Sequence, residues 1–167
     1  MSNADSYVDS GKALPVERII ELIESSDFFT GYSDDEINTL SDWVKAYTIP
    51  AGEFIVKEGK DDNCLCIVVH GSVDIYKQTE PDKHLKIATV EPHESIGEMG
   101  VIDGEPFSAS VITSTESTVL IMTKNNFDTL TEKHKNLGIK LLRKIAGIIS
   151  GQLRSTTGRL ADLLSNH

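Results

Sequence analysis

Three glycines within eight positions, Gly97, Gly100 and Gly104, surround a carboxylate at Glu98 and are followed by a hydroxyl at Ser108. In order, Ser95 to Ser110 reads S-I-G-E-M-G-V-I-D-G-E-P-F-S-A-S. Glycine lets the backbone turn tightly and come close to a ligand. Met99 to Ile102 is an apolar piece long enough for a short helix. A helix starting just past Gly97 would aim several N–H groups without intrahelical partners at one point. Such an array receives an anion, phosphate above all. Glu98 is an odd neighbour for an anion unless it hydrogen-bonds a hydroxyl nearby. A ligand carrying both a sugar and a phosphate suits both groups.

The flanking segments are strand-like. From Tyr47 the chain reads as Tyr47–Ile49, a Pro50-Ala51-Gly52 turn, Phe54–Val56, a polar turn to Asn63, and a nearly continuous apolar run Cys64–His70. Gly71-Ser72 then turns into alternating Val73, Ile75 and Lys77, and a polar turn at Glu80–Lys83 leads to Leu85, Ile87 and Val90. Val111–Thr113 and Val119–Thr123 follow the glycine cluster. Short strands with turns at roughly 8–12-residue spacing predict an all-β barrel or roll. Helices precede it. Pro15 suits a first turn, and Val16, Ile19, Ile20 and Ile23 form one apolar face. Phe28 and Phe29 are expected to act as a hydrophobic plug. Ser33 three before Glu36 predicts a capping box, with Ile37, Leu40, Trp43 and Val44 as the buried stripe. Residues 1–14 lack any apolar period and are expected to be a disordered tail.

After Lys124 the pattern is helical. Asn125 or Asn126 is expected to cap a short helix carrying Phe127 and Leu130, and Asn136 a much longer one. Leu142, Ile145, Ile149, Leu153, Leu160 and Leu163 recur close to a heptad seam, with Thr156 in its widest gap. If continuous to Leu164, roughly 29 residues at about 1.5 Å each extend about 44 Å, longer than a small domain is wide. The seam therefore predicts a parallel helix-pair homodimer. The alternatives are a break at Gly151 or Gly158, or cover from a partner domain. The expected division is 1–14, a roll with flanking helices over 15–135, and the long helix over 136–167.

The glycine cluster resembles the phosphate-binding cassette of the cyclic-nucleotide-binding domain, as in the catabolite activator protein family and protein kinase A regulatory subunits. That cassette has Gly-Glu, a short helix, then Arg-Ser/Thr-Ala; here Gly97, Glu98, Ser108 and Ala109 match. The resemblance runs from about Phe28 to Asn166 and includes the turn glycines Gly59 and Gly71. It implies a double-stranded β-helix (a jelly-roll-like β-roll) with N-terminal helices and a long C-terminal dimerisation helix. It also implies cAMP or cGMP as ligand, held by Gly97, Glu98, Met99, Ser108 and Ala109. The family's arginine position is Phe107 here. Losing one partner of a buried charge pair costs about 3–5 kcal/mol, roughly 10²- to 10³-fold or more in affinity. A less charged ligand, or a pocket filled by Phe107, is the competing expectation. Thr156 and Thr157 fall where the catabolite activator family sets hydroxyl residues against adenine, although a helical threonine also bonds its own backbone. Arg154 or Arg159 is a candidate substitute for the missing arginine.

Composition narrows the function classes. The net charge is −10, but residues 1–123 carry 8 basic and 23 acidic residues, net −15, and residues 124–167 carry 8 and 3, net +5. So acidic a body repels DNA and anionic membranes. The family's transcription factors continue into a helix-turn-helix, whereas this chain ends at His167, so direct nucleic-acid binding is not expected. Neither an export signal nor a membrane span is visible. Cys64 and Cys66, two apart on a strand, share a face and read as reduced core thiols of a cytoplasmic protein. No metal site and no catalytic motif is found, so an enzyme is not expected. The predicted function is a cyclic-nucleotide-type sensor with an unknown downstream protein partner; the alternative is a dimerisation or partner-binding scaffold with a degenerate pocket.

Overall fold

The computed structural model describes residue 8 and residues 10–166. It divides into two compact units, Met1–Asp128 and Thr129–His167. In the first, β1 (Lys12–Ala13), β2 (Lys45–Ile49), β4 (Cys64–His70), β7 (Ser95–Ile96) and β9 (Ser117–Thr123) form one sheet in the order β1-β2-β9-β4-β7. The second sheet runs β3-β8-β5-β6, built from β3 (Phe54–Val56), β5 (Val73–Glu80), β6 (Lys83–Val90) and β8 (Ser110–Thr113). Every pairing is antiparallel. This is the expected β-roll.

The period of two along β4 sets its core face. Cys64, Cys66 and Val68 join Tyr47, Ile49, Ile55, Val73, Val111 and Val119 in one buried cluster drawn from both sheets. Leu65 and Ile67, on the opposite face, are just as buried. Helix α1 (Val16–Ser25) packs on β2 and β9 of the same sheet. A sheet covered on both faces makes β4 a continuous apolar run rather than an alternating one.

Local chemistry accounts for most of the helix ends, with corrections to the sequence reading. In α1 the buried positions are Ile19, Leu22 and Ile23, while Val16 is 59% exposed. Phe28 and Phe29 lie in a single 3-10 turn, stacked edge-on at 4.9 Å between ring centroids. The capping box of α2 (Asp34–Ser41) is present: Ser33 Oγ accepts from the Glu36 N–H at 3.3 Å, and Glu36 Oε2 accepts from the Ser33 N–H at 2.9 Å. Trp43 lies past the end of α2 and is half-buried. Of the expected disordered tail, residues 1–7 and 9 lie outside the described residues. Lys12 and Ala13, however, pair with Thr48 and Tyr47, and the Leu14 N–H donates to Ala46 O at 2.9 Å. The edge of β2 offers those groups a ladder that no sequence period announces.

The cap of α4 (Lys124–Lys133) is Thr123, whose Oγ1 accepts from the Asn126 N–H at 3.1 Å; Asn126 instead donates its side chain to Trp43 O at 3.0 Å. The long helix α5 (Lys135–Ser165) follows His134, not Asn136, and runs unbroken through Gly151 and Gly158. Leu137, Leu141 and Ile145 are buried, whereas Leu153, Leu160, Leu163 and Leu164 are 55–72% exposed. The Ser33–Glu36 box yields a simple test. Ser33→Ala should lower unfolding stability by about 1 kcal/mol, read as a fall in urea midpoint with unchanged slope.

Candidate functional site

The end of β7 leads directly into the glycine cluster. β7 is held on β4 through Cys66↔Ile96 and Ile67↔Ser95, and the next residue, Gly97, is left-handed at φ 86°. A Cβ at Gly97 would stand 2.0 Å from the Cys64 carbonyl oxygen, so conformation and space both require glycine. Helix α3 (Glu98–Asp103) follows. At Gly100 a Cβ would lie 2.2 Å from Asn63 Oδ1, so this helix is seated on the residues that open β4. The far end of α3 is closed twice: the Gly104 N–H donates to Gly100 O at 2.9 Å, and Lys124 Nζ donates to Val101 O at 3.2 Å.

Glu98 is 4% exposed and accepts a hydrogen bond from Ser95 Oγ. The hydroxyl demanded by a carboxylate in this position thus comes from the chain itself. Met99 is 55% exposed. The loop after α3 is tied back to the turn before β4. The Phe107 N–H donates to Lys60 O at 2.8 Å, the Gly59 N–H donates to Phe107 O at 2.8 Å, and the Glu58 N–H donates to Ser110 Oγ at 2.9 Å. The Phe107 ring packs against the core cluster, with Cε1 only 3.5 Å from where a Gly97 Cβ would stand. The position that sequence reasoning singled out as lacking arginine therefore lays an aromatic edge on Gly97. Ser108 is exposed, and Ala109 partly so. Beside them, Lys77 Nζ donates to Ser108 O and pairs with Glu58.

Gly97, Glu98, Met99, Phe107, Ser108 and Ala109 thus fall in one segment of the first unit. Thr156 and Thr157 fall in the second, exposed on α5 with Arg154 and Arg159. The Thr157 hydroxyl donates to Leu153 O at 2.8 Å, the backbone bond open to any helical threonine. The sequence spacing gives His93 no role as a ligand or base. It is the non-glycine residue with positive φ, 74°, among the described residues, and its Nδ1 accepts from the Asp27 N–H at 3.1 Å. What sequence reasoning missed is the pair of Lys77 and Glu58. Cys64 and Cys66 are free, buried thiols. Burial, then nearby Asp62, pushes Cys64 up to about 12; burial, then Cys64 and Glu98, also raises Cys66. Among the described residues no cluster of three or more His, Cys, Asp or Glu would hold a metal, and no helix is long and apolar enough to cross a membrane.

The family model described as "Cyclic nucleotide-binding domain" matches residues 47–134, from β2 to α4. Over 144 residues the chain is 24% identical to the CRP-like cAMP-activated global transcriptional regulator of Mycobacterium tuberculosis, covering 86% of this chain and 62% of that protein. The chain thus spans less than two thirds of that relative's length. A cyclic nucleotide-binding domain from Methylobacillus flagellatus superposes with a TM-score of 0.79 at 24% identity, over 92% of this chain and 89% of that one. Thermus thermophilus Catabolite Activator Protein gives 0.70 at 24% identity, over 84% of this chain and 63% of that one. At such identities the structural likeness is one of fold.

Two outcomes test the packing of the site. Gly97→Ala should destabilise the fold by more than about 2 kcal/mol, because left-handed strain adds to a clash with backbone that cannot move aside; urea denaturation reads it. The raised Cys64 pKa gives a pH dependence. A thiol held protonated contributes its full stability below the ordinary thiol pKa of about 8.5. That contribution is lost as pH rises from there towards about 12. The urea midpoint should fall between about pH 9 and pH 11, and less steeply in Cys64→Ala.

Proposed function

We propose that this chain, which belongs to the cyclic nucleotide-binding domain family, is a regulatory module that receives cAMP or a related nucleotide at Gly97–Ala109 and passes occupancy to a dimerising α5. The observation that carries this reading is the form of the cassette: a left-handed Gly97, a buried Glu98 and a short helix pressed onto Asn63. In this reading Ser108 and the amides that open α3 meet the phosphate. Thr156 and Thr157 on α5 are kept as candidate base contacts; because the Thr157 hydroxyl already donates to Leu153 O, it would meet a base only as an acceptor. Dimerisation is supported by the exposed Leu153, Leu160, Leu163 and Leu164 on an unbroken helix. A second copy presenting the same stripe would bury it as a coiled-coil seam.

The Phe107 ring against Gly97 favours a second reading, in which the pocket is filled from within and the chain serves as a dimerisation scaffold. One calorimetric series decides between them. The first reading expects saturable binding of cAMP or cGMP by the unaltered chain and tightening of roughly 10²-fold or more in Phe107→Arg. If only Phe107→Arg binds, the scaffold stands. If neither binds at millimolar ligand, the cassette reading is wrong. Light scattering tests the seam separately: the chain should have twice its monomer mass, and Leu153→Asp with Leu160→Asp should halve it. A wild-type monomer would remove the dimer from the proposal.

A further inference from the structure

The cassette has phenylalanine where its resemblance calls for a cation, but a cation reaches the same loop from β5. Residues on one face of a strand recur every second position. Val73 belongs to the core cluster, Ile75 and Phe107 both pack against it, and Ile75 is paired with Val111 of β8. Two residues further, Lys77 falls on the same face, where the β8 strand backs into the cassette. Its Nζ donates to Ser108 O at 2.5 Å and forms an ion pair with Glu58. Glu58 is itself positioned: its Oε2 accepts the Gln78 N–H at 2.9 Å, and its own N–H donates to Ser110 Oγ at 2.9 Å.

We infer that Lys77 is the anion-binding cation of this site, held by Glu58 until the phosphate of a nucleotide takes the carboxylate's place. This rests on the reading that the cassette receives a nucleotide. Side-chain exposures of 46% for Lys77 and 23% for Glu58 leave the pair open to solvent. Exposed ion pairs contribute little stability, so exchanging one anionic partner for another is inexpensive. An ammonium has three donors, of which Ser108 and Glu58 account for two, so a phosphate oxygen can approach before the carboxylate leaves. The hydrogen bond from Lys77 holds the Glu58 pKa below the ordinary carboxylate range, as expected of a carboxylate that stands in for a phosphate oxygen. Within a unit so rich in acidic residues, a ligand phosphate needs such a local charge.

The test titrates the whole chain with cAMP and with adenosine, which lacks the phosphate. Lys77→Met should weaken cAMP by about tenfold or more while leaving adenosine unchanged. Lys77→Arg should keep cAMP affinity, and Glu58→Gln, which removes the internal anion, should tighten cAMP several-fold. A Lys77→Met variant that binds cAMP as the wild type does would overturn the inference. So would a Glu58→Gln variant that loses affinity, since the pair would then be a structural clamp. If Lys77→Met fails to fold, Lys77→Arg and Glu58→Gln still decide. Phe107→Arg separates the two levels. Binding by that variant with none by wild type defeats Lys77 and leaves the cassette, whereas no binding by either defeats both.

Discussion

The structure of the site depends on one close approach, the backbone of Gly97 laid against the carbonyl of Cys64. No side chain fits there, and the φ of 86° is one that other residues adopt only with strain. That contact sets the height of α3 above β4 and brings Gly100 down onto Asn63. Asn63 O in turn accepts the Lys124 N–H at 2.9 Å, and the Lys124 side chain closes the carbonyl end of α3. Three segments distant in sequence, around residues 63–64, 97–101 and 124, thus lock one another. The cassette is part of the framework of the roll rather than a loop hung from it, so its geometry is inherited from the core.

How much of this was legible follows from the range of each interaction. The glycine spacing located α3 because glycine requirements are local, and the capping box was readable because its two partners lie three residues apart. The contact of Gly97 with Cys64 was not readable, being set by the β4–β7 pairing. The sequence thus marks the glycines as needed for an anion's approach, whereas at Gly97 the group that approaches is a carbonyl. Thr123 takes the place of Asn125 and Asn126 as the cap because β9 runs directly into α4, two to three residues before those asparagines. Gly151 and Gly158 read as possible breaks. A glycine in a helix interior costs only about 1 kcal/mol, which a helix of 31 residues absorbs.

The charge arrangement shows the same limit more sharply. Phe107 was visible as a departure because it occupies a slot in a local motif. Lys77 and Glu58 lie 19 residues apart on different segments and meet because β3 and β5 both pair with β8. Alternation along β5 placed Lys77 on the face of Val73 and Ile75, yet no sequence period gives the register that brings it to Ser108. A missing charge in a local motif is thus easier to find from sequence than a cation that the fold brings near it. His93 is similar: its positive φ and its bond to Asp27, 66 residues away, tie the helical N-terminal turn to the roll without any motif.

These bonds also limit where a response to ligand can arise. Phe107 and Gly59, Phe107 and Lys60, Glu58 and Ser110, and Gly104 and Gly100 are all joined by bonds involving the main chain. The backbone of the glycine cluster is therefore ordered by the chain's own bonds, so a ligand bound there would cost little conformational entropy. A ligand shifts an equilibrium only through contacts that differ between two states. With the backbone held, the differences must lie in side chains that can exchange partners. Glu98 is buried and satisfied by Ser95, and Phe107 is packed against the core. The exposed Lys77–Glu58 pair is the part of the site that can change partners at small cost. Because Glu58 also accepts the Gln78 N–H, moving it would alter the grip of the turn before β4 on strand β5. A change of one charged partner at the cassette would in this way reach the backbone of the second sheet.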